Sequence, residues 1–160
     1  MSVIKQHWPE YLAEATELAL FMLSACAFTV LLYHPASPLA NSFPNEILKR
    51  AAMGIAMGST AVAIIFSPLG KRSGAHFNPS VTLAFFRLGK VAPWDACFYV
   101  VAQFVGGVAG VVIATMLFGP AVADVHVNYA ATQPGPQGPI VALMTALHWT
   151  ATIFSVPTNF

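Results

Sequence analysis

Over residues 94–118 the chain carries one charged side chain, Asp95, and one side-chain amide, Gln103, and otherwise runs through apolar and small residues. That exceeds the roughly 20 residues an α-helix needs to cross a hydrocarbon core about 30 Å thick. It limits the fold more than any other segment, because a helix apolar on every side has no face for water. Gly106 and Gly110 lie within it at the four-residue spacing that lets membrane helices approach closely. Residues 11–33 supply a second span, interrupted near its start by Glu14 and Glu17. Residues 51–66 form a shorter run rich in Ala and Gly, and Gly54 and Gly58 predict that it is packed by its small face.

Composition agrees with a lipid-facing surface. Hydrophobic residues make up 57% of the chain and charged ones 8%, against about a quarter charged in an ordinary soluble domain. Seven basic residues against six acidic leave a formal charge of +1. No long-range field exists for nucleic acid or an acidic partner, so the expected partner is the lipid bilayer. Cys26 and Cys97 each sit in an apolar run without CxxC spacing and are expected to be small buried hydrophobes. Residues 1–10 precede a span with no small-residue cleavage site, so the first span is expected to be retained rather than removed as a signal peptide.

Between the spans, residues 34–46 hold Pro35, Pro38 and Pro44 with Asn41 and Asn45, the punctuation of a loop. Residues 67–90 combine breakers, Pro68, Gly70 and Gly74 among them, with an apolar stretch at 81–88 of only about two turns, too short to span. Residues 119–139 read as loop. Residues 139–156, with His148 and Trp149, offer a last, weak span. Lys5, Lys71, Arg72, Arg87 and Lys90 fall on one side if the short segment enters and leaves by one face, and Lys49 and Arg50 on the other. Five against two puts the N-terminus inside.

The short segment carries the chemistry. Asn78 has the residue type of a helix N-cap, and Pro79 suits the first helical position, where a missing N–H is no loss. A half-helix preceded by irregular backbone exists at membrane depth only inside protein or along a water-filled cavity. The loop therefore implies a pore. Its half-helix would aim about half an elementary positive charge at the midplane and repel cations. The Asn78 amide offers two donors, and the carbonyls of Gly74, Ala75, His76 and Phe77 a ladder of acceptors, for a neutral solute shedding its water.

An Asn-Pro pair alone marks a turn, but its context here is longer. Ser73-Gly74-Ala75-His76-Phe77-Asn78-Pro79-Ser80-Val81-Thr82 closely resembles the first signature loop of the aquaporin, or major intrinsic protein, family, S-G-A-H-x-N-P-A-V-T. Ser80 in place of Ala is the one departure. Tyr99 to Gly106 matches the family's third-helix pattern Y-x-x-A-Q-x-x-G, and Ala13-Glu14 the A-E pair of its first helix. The resemblance covers about residues 11–139 and is to the N-terminal half, or first repeat, of a bacterial-type member. It implies that Asn78 is one of two central pore asparagines, that Gly74 to Ser80 line the pore, and that Met57 lies near the narrow filter. A methionine there leaves glycerol open beside water.

Acidic residues inside a span mark function by default, but the resemblance implies that Glu14 is a structural brace for the loop. Gln103 is read as a polar brace between helices. Glu17 falls where relatives often carry a small residue and is expected to be partly exposed near the interface. His76 is read as a structural hydrogen-bonding group rather than a proton switch.

The expected fold is an all-α membrane protein: three to four transmembrane helices plus one re-entrant half-helix, forming one repeat of the aquaporin-like inverted-repeat fold. Residues 1–139 are expected to form that repeat with its following loop, and residues 140–160 a divergent fourth helix, whole or truncated. No nucleophile–His–carboxylate set, metal-ligand spacing or phosphate-binding glycine loop supports an enzyme, a cofactor or a metal. A second N-P copy and the second-loop arginine are absent, so three functions are expected in order: a channel for water or small neutral solutes completed by another half or by homologous subunits, a non-conducting assembly partner, and a dual-topology transporter. The uneven basic residues count against the last. The expected location is the plasma (inner) membrane.

Overall fold

The computed structural model describes residues 3–43 and 45–131. They contain six α-helices and no strand: α1 (Val3–Tyr33), α2 (Pro38–Ser42), α3 (Glu46–Phe66), α4 (Pro68–Ser73), α5 (Pro79–Arg87) and α6 (Pro93–Phe118), followed by short 3₁₀ turns at Gly119–Val122 and Asn128–Ala130. Three helical stretches are long and apolar enough to cross a membrane, Lys5–Tyr33, Glu46–Phe66 and Pro93–Val122. The weak span expected at residues 139–156, His148 and Trp149 included, lies outside the described residues.

α1 and α6 form the principal pair, with α3 and α4 on α1, and α5 on α6. Glycine makes that pair possible. A Cβ on Gly106 would run into the Ala15 carbonyl oxygen, and one on Gly110 into that of Ala19, so the two backbones touch directly. Cys26, Ala114 and Val122 pack together at the far end, with Leu23, Val111 and Phe118 against them.

Several expectations need correction. Gly54 and Gly58 are exposed, and a Cβ on either would meet nothing within 4 Å. The small face of α3 is therefore unpacked within the described residues. Of the two cysteines, Cys26 is buried but Cys97 is exposed, because it lies on a side of α6 turned away from α1's close contact. Glu17, expected near an interface, is fully buried.

The two proline-rich loops also hold short helices. Ser37 caps α2, accepting from the Ala40 N–H at 3.4 Å, and Ser67 caps α4, accepting from the Gly70 N–H at 3.1 Å. Each cap is followed by proline at the first helical position. Proline breaks a helix interior but is pre-set to begin one, so the same residues that signal a break also start a turn of helix. α4 then stops at Gly74, whose φ of 95° needs a residue without a Cβ.

Candidate pore loop

From Gly74 the chain turns through an unusual path. Gly74, Ala75 and Phe77 all have positive φ, at 95°, 52° and 26°. For a residue with a side chain, such a conformation costs on the order of 1–3 kcal/mol and persists only where the surroundings over-determine it. Here they do. Glu14 of α1 accepts the His76 N–H on Oε1 at 2.8 Å and the Phe77 N–H on Oε2 at 2.7 Å. The Ala75 N–H donates to Ser73 Oγ at 3.0 Å, and the Gly74 N–H to the Gly70 carbonyl at 3.0 Å.

Ser73 is fixed in turn. Its hydroxyl donates to Glu17 Oε1 at 2.8 Å, and its carbonyl accepts from the Tyr99 hydroxyl at 2.8 Å. Gln103 of α6 donates to Glu14 Oε2 at 2.7 Å and to Thr82 Oγ1 at 2.9 Å, joining α1, α5 and α6 through one buried amide. The His76 ring is buried, lies 3.1 Å from Thr82 Oγ1 through Nδ1, and stacks on Phe85 with centroids 4.8 Å apart.

This arrangement divides the loop's polar groups by direction. The N–H groups of residues 74–77 are held inward. Among the described residues, nothing donates to the carbonyls of Gly74, Ala75, His76 or Phe77. Asn78 ends the loop in extended backbone, with φ −157°, and its Oδ1 accepts the Ser80 N–H at 2.8 Å. With Oδ1 committed to capping, Nδ2 keeps both hydrogens for an outside acceptor.

Gly74, Asn78 and Ser80 are exposed, while Ala75, Phe77 and Pro79 are half-buried. Met57 is half-buried on α3, which packs chiefly on α1 and α4, and no hydrogen bond joins it to this loop among the described residues. Of the residues singled out in the sequence, Glu14, Gln103 and residues 74–80 thus meet in one place, and Met57 lies on α3.

The structure adds residues that the sequence did not single out. A cavity of about 590 Å³ opens beside Gly74, walled by His7, Glu10, Ser73, Lys90, Asp95 and Tyr99 among others. Asp95 Oδ1 accepts from the Tyr11 hydroxyl at 2.6 Å and lies 2.8 Å from His7 Nδ1, tying the start of α6 to the start of α1. Arg72 Nε pairs with Glu10 Oε1 at 3.3 Å. Asp95 gave one sequence signal, an acid in a first helical turn behind Pro93, but its partners lie more than 80 residues away in the chain.

The family model for Major intrinsic protein matches residues 1–159. The chain belongs to this family. Aquaporins of the family are channels rather than enzymes, and the chain is an integral membrane protein. It is similar to Aquaglyceroporin AqpS of Rhizobium meliloti, at 39% identity over 46% of this chain and 31% of the relative. It is also similar to Probable aquaporin AqpM of Archaeoglobus fulgidus, at 40% identity over 53% and 34%. Aquaporin-5 of Sus scrofa aligns over 72% of this chain and 42% of its own length, at 35% identity. The chain therefore spans well under half the length of these relatives.

Proposed function

We propose that residues 1–139 build one half of a membrane pore for water or a small neutral solute such as glycerol. One observation carries the reading: among the described residues, four consecutive loop carbonyls and the Asn78 amide nitrogen have no partner at the start of a helix too short to cross. α5 has nine residues, which at about 1.5 Å each reach about 13 Å into a core roughly 30 Å thick. Glu14 is the brace that keeps the carbonyls turned out, and Gln103 couples that brace to α6. The positive end of α5 opposes cations at the depth where the solute meets Asn78.

A second half-helix, from further chain or from another subunit, completes the path in this reading. Met57 belongs to the filter only once that half is present. The similarity to the Rhizobium relative, an aquaglyceroporin by name, supports a solute beyond water, and the half-exposed methionine supports the same. The membrane is the plasma membrane, with the N-terminus inside.

The test is osmotic shrinkage of liposomes holding this chain, with and without a second-repeat fragment from a relative. The pair is expected to shrink several-fold faster than the chain alone, with a low activation energy. Equal, slow shrinkage in both, after cross-linking has shown that the halves associate, rejects the pore.

A further inference from the structure

A second cavity, about 380 Å³, lies between α1, α3 and α4, with Glu17, Ser24, Thr60 and Ser67 among its walls and Leu20 and Ile64 beside them. Asn78 does not line it. Glu17 is fully buried, and only its Oε1 is used, by the Ser73 hydroxyl at 2.8 Å. Oε2 is buried with no partner among the described residues.

The hydroxyls opposite point to what it lacks. Thr60 gives its hydrogen to the Ala56 carbonyl at 3.0 Å, so its oxygen is left only to accept. Ser67 Oγ already accepts from the Gly70 N–H at 3.1 Å and keeps lone-pair capacity besides. Arg72 pairs with Glu10 and Lys49 with Glu46. A buried carboxylate without a counter-charge is among the costliest groups a fold can hold.

We propose that Glu17, with the hydroxyl oxygens of Ser24, Thr60 and Ser67, binds one monovalent alkali cation, sodium in size, in this cavity. One negative charge among hard, neutral oxygens suits a singly charged hard cation and not a transition metal. The volume takes the ion with several waters, at about 30 Å³ each. A proton on Glu17 would also cancel the charge and bring one O–H donor into the cavity, so a response to sodium at constant pH is what separates the two. Because the same carboxylate holds Ser73, an ion on Oε2 steadies the residue from which the pore loop starts.

The experiment uses the purified full chain in detergent, with thermal unfolding followed in sodium, potassium or choline chloride at matched ionic strength. Sodium is expected to raise the midpoint saturably, with one ion bound per chain by line broadening in sodium NMR. Glu17→Gln keeps an acceptor for Ser73 but removes the charge, and the saturable response should vanish. Thr60→Val keeps the shape and removes one oxygen, weakening sodium binding about tenfold. If the Gln variant fails to fold, Thr60→Val and Ser24→Ala carry the test. Equal midpoints in sodium and choline overturn the proposal, as does an unchanged sodium response in the variants. A stabilisation that follows pH but not sodium assigns the site to a proton and overturns it too.

Discussion

Glu14 and Glu17 stand one helical turn apart on α1, and each holds the loop by a different kind of bond. Glu14 accepts two backbone N–H groups that have no other acceptor, while Glu17 accepts one rotatable hydroxyl. In Glu14→Gln the amide offers one oxygen; placed where Oε2 stands it keeps Phe77 and Gln103 and leaves the His76 N–H facing an NH₂. Each buried donor left unpaired costs on the order of 1–3 kcal/mol. In sodium-free buffer Glu14→Gln is therefore expected to lower stability by about 1–3 kcal/mol, and Glu17→Gln by less than about 1 kcal/mol, since the Ser73 bond survives and a buried charge is removed. Denaturation of both variants in the same detergent checks the order. A larger loss for Glu17→Gln contradicts it. The asymmetry also bears on what the sequence disclosed. Glu14 was readable through its place in a known pattern, but Glu17 was not, because its partner Ser73 lies 56 positions away and only the fold brings them together.

At the scale of elements, identical glycine spacing has two outcomes. Gly106 and Gly110 sit against the Ala15 and Ala19 carbonyls, whereas Gly54 and Gly58 face open space. Spacing identifies a helix able to approach another closely, but not which helix meets it, and α3 has no such partner among the described residues. The variants should separate accordingly. Gly106→Ala forces α1 and α6 apart and is expected to cost about 1–3 kcal/mol, as overpacking does. Gly54→Ala and Gly58→Ala gain helix propensity, up to about 1 kcal/mol each. Thermal unfolding of the three variants measures this, and destabilisation by Gly54→Ala alone would show that the α3 face is packed after all. The half-helix was the most legible element, since its cap, its proline and its short apolar run are all local. α2 and α4 were missed because proline and glycine mark a short helix and a break with the same letters.

For the whole molecule, the basic residues and the tertiary contacts bear on the same question. Arg72 pairs with Glu10, and Lys90 lines one cavity with His7, Glu10 and Asp95. The start of α1, the end of α4 and the start of α6 therefore share one end of the bundle. Lys49 pairs with Glu46 and lies 5.9 Å from the Tyr33 ring, at the opposite end of α1. Lys5, Lys71, Arg72, Arg87 and Lys90 against Lys49 and Arg50 then give five charges to two, and the proposed orientation, which puts the excess on the cytoplasmic face, predicts which positions a reagent reaches. Single cysteines introduced at Lys5, Lys71 and Lys90, in a chain with Cys26 and Cys97 replaced, should resist an impermeant thiol reagent applied outside intact cells. A cysteine at Lys49 should react. Cys97 must be replaced first because it is exposed on the chain's surface. Reaction of Lys71→Cys and Lys90→Cys from opposite sides would mean that the segment through α5 crosses the membrane instead of returning. Asn78 would then cap a helix inside a crossing segment, and the loop would no longer open half a pore.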